Sequence, residues 1–223
     1  MIDKIHWLGH ASFFIESSKV NIYIDPFKLR EGLPKAGIVL ITHEHFDHCS
    51  PEDIKKIHQS GTIIVGPKST TLKLPYPVKT IKPGESMRLN DVVIDAVYAY
   101  NLNKKFHPKS DDYLGYIVTV DGTKIYHAGD TDYIPEMGKI KADICLLPIG
   151  GTYTMDAKEA SQAANAIDPK MAIPMHYGSV VGQKSDAEEF KKLCRVDVKI
   201  LNYFFFAVFF LETFFFAQQQ LFI

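Results

Sequence analysis

Six consecutive residues, His43-Glu44-His45-Phe46-Asp47-His48, hold three of the chain's nine histidines and two acids. They follow the apolar run Gly37-Ile38-Val39-Leu40-Ile41-Thr42 and lead into Ser50-Pro51-Glu52-Asp53. The second stretch has the marks of a helix start: a serine cap, a proline at the first helical position and an acid at the third. A buried strand that ends in a polar turn and feeds a helix belongs to an α/β architecture. In open α/β sheets the crevice beyond the strand ends is where ligands bind. The spacing H-x-H-x-D-H constrains more. Imidazole and carboxylate suit Zn, Mn or Fe. Side chains of an extended backbone alternate with period two, so His43 and His45 are expected on one side. A turn after Phe46 can then aim Asp47 and His48 at a neighbouring point. One segment can thereby serve two adjacent ions, with the other ligands arriving from elsewhere in the chain. The bland alternative is a solvated histidine turn. Chance supplies such a match in on the order of one chain in a thousand, which is set against the false-positive risk of short motifs.

The surrounding pattern fits one mixed α/β domain. The stretches KIHWL, ASFFIE and VNIYI predict a β-meander, punctuated by Gly9-His10 and Ser17-Ser18-Lys19. GIVLIT, TIIVG, VVIDAVYAY, YLGYIVTV, KIYHA, ADICLLPI and KMAIPM predict further strands, with Asp121-Gly122 as a hairpin turn. Helices are predicted after Ser50, after the capping box Asp156–Glu159 and after a second box Ser185–Glu188. Their apolar faces are Ile54 and Ile57; Ala160, Ala163, Ala164 and Ile167; and Phe190, Leu193 and Cys194. Three polar residues stand where predicted strands give way to loops: His107 in KKFHPK, Asp130 in YHAGDTD and His176 in IPMHYGS.

The segments WLGHASFFIE, YIDPF, THEHFDH, IYHAGDTD, LLPIGG and IPMHYG, in that order, resemble the metallo-β-lactamase superfamily. The likeness is to its small metal-dependent hydrolase branch, related to ascorbate phosphate lactonases and N-acyl phosphatidylethanolamine phospholipase D. It covers roughly residues 1–201. The resemblance implies a four-layer αβ/βα sandwich and a pair of divalent ions, zinc first, with manganese or iron as alternatives. It implies that His43, His45 and a third histidine hold one ion, that Asp47, His48 and His176 hold the other, and that Asp130 bridges them. The third histidine is His107, on the loop after a strand, with His127 as the alternative; the bland reading of His127 is a packed strand residue. His10, in LGHAS, is either satisfied by backbone or a proton-transfer group beside the ions. Asp25 is expected to brace the ligand loops through hydrogen bonds, and His6 and His58 to be structural.

The implied chemistry is hydrolysis by metal-activated water, with Asp47 orienting the nucleophile. No GxSxG is present to compete. A small anionic phosphodiester or a lactone is the expected substrate class. Lys104, Lys105 and Lys109 flank His107 and either attract an anion or form an ordinary solvated loop. The rival reading is a metal-binding or sensor protein that kept the fold without turnover.

Composition narrows the partners. A formal net charge of −1 argues against a nucleic-acid binder. Three cysteines without a CxxC argue against a disulfide framework. No secretory signal is visible, and the expected location is cytoplasmic. From Asn202 onward the pattern changes: residues 202–223 hold nine of the fifteen phenylalanines, with neither alternation nor helical spacing. We expect a hydrolase domain over 1–201 and a Phe-rich tail over 202–223, attributed to a shifted or read-through C-terminus. The tail's apolar run is shorter than the roughly 20 residues a membrane span needs. Its aromatic character favours self-association, so oligomerisation is a further expectation.

Overall fold

A computed structural model of the chain describes residues 1–204. Strands β1 (Ile5–Trp7), β2 (Phe13–Glu16) and β3 (Asn21–Ile24) form the antiparallel meander. Strands β4 (Ile38–Leu40), β5 (Ile63–Gly66) and β6 (Val78–Thr80) add to it in parallel, giving a six-stranded sheet in chain order. A second six-stranded sheet holds β7 (Ser86–Leu89), β8 (Val92–Tyr98), β9 (Leu114–Val120) and β10 (Thr123–His127), paired antiparallel. β11 (Ile144–Pro148) and β12 (Met171–Met175) complete it in parallel. The β9–β10 hairpin turns at Asp121 and Gly122, both at positive φ (47° and 73°), as a two-residue hairpin of matching twist requires. Sequence pattern does not reveal β6 and β7. They are edge strands of their sheets and largely solvent-facing; β6 carries no apolar alternation, and the alternation of Met87 and Leu89 in β7 spans only four residues.

Alternation along β2 and β3 sorts the core. Phe13, Ile15, Ile22 and Ile24 turn toward the second sheet, where Ile94, Tyr116 and Val118 meet them. Phe14 and Tyr23 turn the other way, against Ile54 and Ile57 of α1 (Pro51–Ile57). The second sheet is covered by Ala160, Ala163, Ala164 and Ile167 of α2 (Ala157–Ile167) and by Phe190 of α3 (Lys184–Leu193). Fully burying one such large side chain contributes about 1.5–3 kcal/mol. The result is the four-layer αβ/βα sandwich.

Two helix starts match the predicted caps: the Ser50 side chain accepts from Asp53 N, and Asp156 and Glu159 form the box of α2. α3 starts earlier than the Ser185–Glu188 frame. Its Asp186 carboxylate accepts from Gln183 N at 2.7 Å, an overlapping frame, with Gly182 at φ +66° letting the chain turn in just before it. Leu193 is correspondingly off the buried face.

Packing continues through the last described residues. Phe204 N donates to Trp7 O at 2.9 Å, and its ring centroid lies 4.0 Å from that of His6. The expectations for the rest of the Phe-rich tail, residues 205–223, lie outside the described residues. Among the described residues, no helix is long and apolar enough to cross a membrane.

Candidate metal centre

The polar cluster sits where both sheets run out. Strand β4 stops at Leu40, before the apolar run does; Ile41 N still donates to Val65 O at 2.9 Å, and then the chain bends. His48 N and Cys49 N both donate to His45 O, at 3.0 and 2.8 Å, closing a tight turn ahead of the Ser50 cap. The histidine segment is therefore a turn, not extended backbone. His43 and His45 meet through different ring atoms: His43 Nε2 lies 3.1 Å from His45 Nδ1. His107, brought by the β8–β9 loop, places its Nε2 3.1 Å from the same His45 Nδ1. Three ring nitrogens converge on one point.

A second set lies beside the first. His10 follows β1, and its Nε2 is 3.0 Å from Asp47 Oδ2. His48 Nε2 is 3.9 Å from that oxygen and 3.3 Å from Asp130 Oδ1. His176, directly after β12, puts Nε2 3.2 Å from Asp130 Oδ2. The same Asp130 Oδ2 is 3.7 Å from His107 Nε2, so this one carboxylate faces both sets. Donor atoms of His43, His45 and His107 lie within 4.8 Å of one another, as do those of His10, Asp47, His48 and His176. Asp130 turns in beside Gly129 (φ +66°), where an added Cβ would fall 2.5 Å from Leu114 O. Three of the histidines, His10, His107 and His176, also have left-handed backbone, with φ of 52°, 51° and 59°.

Buried partners hold the turn. Asp25, at φ 47° and fully buried, accepts from Thr42 N (2.8 Å) and Thr42 Oγ1 (2.6 Å) and lies 2.7 Å from His48 Nδ1. Leu114 N donates to Thr42 O at 3.0 Å and Tyr116 OH to Ile41 O at 2.7 Å, tying the turn to the second sheet. Across the edge, His176 N donates to His10 O at 2.8 Å. Tyr113, whose ring centroid is 4.9 Å from that of His43, donates to Glu44 Oε1 at 2.8 Å, while Ser69 Oγ donates to Glu44 Oε2 at 2.6 Å. Nothing in the sequence pattern singles out Thr42, Glu44 or Tyr113.

The electrostatics suit cations. Burial pushes the pKa of His43 well down and those of His10 and His107 down, which keeps these rings neutral and able to donate lone pairs. Burial alone would raise the Asp130 pKa, but His176 and His48 hold it well below the carboxylate range. Burial also opposes a charge on His48; Asp130 and Asp25 outweigh it and raise that pKa well above the histidine range. Burial is likewise outweighed at Asp47, by the contact with His10, and its pKa falls. Close as they are to Asp130, buried His48 Nε2 and His176 Nε2 form no well-aligned hydrogen bond, and neither do Asp130 Oδ1 and His10 Nδ1. Orphaned buried acceptors are costly. An imidazole-and-carboxylate set with its lone pairs turned inward fits divalent ions.

His127 is elsewhere. It is fully buried, its Nε2 2.8 Å from Ala11 O, and its Nδ1 accepts from Gly129 N at 3.2 Å. His6 packs between Phe14 and Phe204, and His58 stacks on Tyr76. Of the lysines flanking His107, Lys104 pairs with buried Asp132. Lys109 pairs with Glu136 at 2.7 Å and lies over the Tyr98 and Tyr100 rings. Lys104 and Lys109 are thus ion-paired, and Lys105 is exposed. Cys49, next to the turn, is buried, which pushes its thiol up to about 12, far from a nucleophile's range.

The family described as "Beta-lactamase superfamily domain" matches residues 4–176. A UPF0173 protein of Pyrococcus abyssi is 36% identical, over 85% of this chain and 89% of the relative. A structure from Parabacteroides distasonis, provisionally named a metal-dependent hydrolase, is 36% identical with a TM-score of 0.81, covering 89% of this chain and 93% of that one. Igni18, a metallo hydrolase from Ignicoccus hospitalis, is 26% identical with a TM-score of 0.74, covering 91% and 98%.

Proposed function

Because the chain belongs to the metallo-β-lactamase superfamily, in its UPF0173-like branch of small metal-dependent hydrolases, we propose that it is a dinuclear metal-dependent hydrolase. The observation that carries this reading is the convergence of two donor sets on one shared carboxylate, Asp130. His43, His45 and His107 would hold one ion; Asp47, His48 and His176 would hold the other, with Asp130 between them. The mixed imidazole-and-carboxylate character of the set favours zinc, with manganese or iron next. When bound, such ions lower the pKa of a water and polarise the oxygen of the bond to be cut.

The chain's own groups supply the rest. Asp47 has one oxygen engaged by His10, which leaves Oδ1 to orient the attacking water and take its proton. His10 lies against His176 at 3.9 Å between ring centroids; it fixes the Asp47 carboxylate and can pass a proton outward from it. Asp25 locks the ring of His48, and Tyr113 with Glu44 packs over His43. The reacting bond we assign is that of a phosphodiester or a lactone, as the resemblance to ascorbate phosphate lactonases and N-acyl phosphatidylethanolamine phospholipase D suggests. Residues 1–201 would form the hydrolase domain, and the tail that starts at 202 begins packed on it, through Phe204 against Trp7 and His6.

The test is hydrolysis of bis(p-nitrophenyl) phosphate and of γ-butyrolactone by zinc- and manganese-loaded protein, with metal content measured and EDTA as control. Chelator-sensitive turnover of either supports the reading. Two bound ions with no turnover on a broad panel of esters, lactones and diesters would instead leave a metal-binding protein.

A further inference from the structure

The centre opens into a cleft of about 270 Å³. His45, Asp47, His107 and Asp130 form its floor, and Phe46, Phe106, Tyr153 and Val180 form its walls. These walls are unusual for this molecule. Only six large apolar side chains are exposed among the described residues, and three of them, Phe46 (69%), Phe106 (47%) and Val180 (40%), surround this one opening. They come from three different loops: the β4–α1 turn, the β8–β9 loop and the β12–α3 loop. The two phenylalanines are set in place by other rings. Phe46 meets the edge of Phe27 at 5.9 Å, and Phe106 meets Tyr153 at 4.8 Å and 87°. Exposed apolar surface gathered around a polar floor marks a binding site. No lysine or arginine lines the cleft. Of the cations around it, Lys104 pairs with Asp132 and Lys109 with Glu136, while Lys28 lies over Phe27 and reaches Ser179 Oγ at the rim, and Lys105 is exposed.

We propose that the substrate carries an uncharged apolar arm, an alkyl chain or aromatic ring, which seats against Phe46, Phe106 and Val180 while its reacting end lies over the ligands. The proposal rests on the hydrolase reading for the reacting end only; the arm follows from the walls. It adds an uncharged part to the phosphodiester or lactone substrate and leaves the chemistry of the reacting end as proposed. Ions bound at Asp47 and Asp130 would answer an anionic reacting end, but the walls, Phe46, Phe106, Tyr153 and Val180, offer no charged partner to an anionic arm. An apolar arm gains about 0.8 kcal/mol per buried methylene, which is about fourfold in affinity.

The test measures binding and turnover separately. Calorimetric titration of zinc-loaded full-length protein with acetate, butyrate, hexanoate and phenylacetate keeps the metal-seeking carboxylate constant and lengthens the arm. Affinity should rise about threefold to fourfold per methylene until the cleft is full. Phe106→Ser and Val180→Ser should flatten that slope with metal content unchanged, and Phe106→Leu should restore most of it. In parallel, kcat/KM for γ-lactones bearing methyl, butyl or phenyl substituents should follow the same order. Affinity independent of arm length, or a slope untouched by both serine variants, overturns the proposal. Binding that tracks the arm without turnover of any lactone or of bis(p-nitrophenyl) phosphate upholds the apolar subsite and counts against the hydrolase reading. Turnover indifferent to the arm upholds the hydrolase reading and overturns the subsite.

Discussion

Replacing Asp25 with asparagine should loosen the ligand turn without emptying its space. The carboxylate serves both ends of the turn at once: Thr42 N at 2.8 Å and Thr42 Oγ1 at 2.6 Å at the start, His48 Nδ1 at 2.7 Å at the finish. An amide of the same shape has one oxygen. If that oxygen faces Thr42 Oγ1 and His48, the NH2 opposes the Thr42 N–H; if it faces Thr42 N, the NH2 opposes the other two groups. Either way a buried donor loses its acceptor, which costs about 1–3 kcal/mol. The charge-assisted bond to His48 also weakens. We expect Asp25→Asn to lower unfolding free energy by about 2–4 kcal/mol in urea titrations of EDTA-treated protein. Zinc affinity, read by competition with a chromophoric chelator, should fall about 10- to 100-fold, as is usual when the group behind a ligating histidine is changed. The carboxylate also helps raise the His48 pKa. A raised histidine pKa gives stability that is full below its unfolded value near 6.5 and is lost as pH rises through the folded value. The variant should therefore show a smaller loss on that alkaline side. Stability within about 0.5 kcal/mol of wild type, together with zinc affinity within about threefold, would refute this account of Asp25.

His107→Ala should bind about one ion fewer than wild type by metal analysis, whereas His127→Ala should retain the full complement; the reverse result would move the third ligand to the strand. In EDTA-treated protein, the depressed pKa values of His43, His10, His107 and His127 make protonation favour the unfolded chain. Their contribution is present above about 6.5 and is lost as pH falls from there toward the folded values, so the urea midpoint should drop between about pH 6.5 and 5. Tyr113→Phe keeps the ring over His43 but removes the 2.8 Å bond to Glu44, and denaturation should show a loss of about 1 kcal/mol. A chain ending at Leu201 should melt below one ending at Phe204, because it lacks the Phe204–Trp7 backbone bond and the ring against His6; equal melting temperatures would contradict that packing.

Much of the framework is legible in the sequence because its signals are local. The buried strands announce themselves as unbroken apolar runs, the β9–β10 turn by Asp121-Gly122, and α1 and α2 by caps within four residues of each other. The edge strands β6 and β7 signal weakly: β6 is mostly exposed, and β7 offers only Met87 and Leu89 as an apolar face. The α3 start is ambiguous for another reason: Gln183–Asp186 and Ser185–Glu188 offer competing frames, and only the approach through Gly182 chooses between them. At the centre, the sequence shows which residues stand at strand ends. It does not show that His45 meets His43 through Nδ1, that Glu44 and Tyr113 pair across 69 residues, or that Lys104 and Lys109 are drawn off by Asp132 and Glu136. Those facts depend on which loops the two sheets bring together, and no short window contains them.

Four residues of the centre, His10, Asp25, His107 and His176, are held with left-handed backbone. For a residue with a Cβ this costs about 1 kcal/mol or more each, where glycine would be at ease. Together they set roughly 4–8 kcal/mol of local preference against a fold whose whole margin is about 5–15 kcal/mol. Backbone ease and chemistry therefore pull in opposite directions at these positions. Glycine at 10, 107 or 176 would ease the backbone but leave a void where a buried imidazole had packed, so the relief is offset and a donor group of the centre is lost with it.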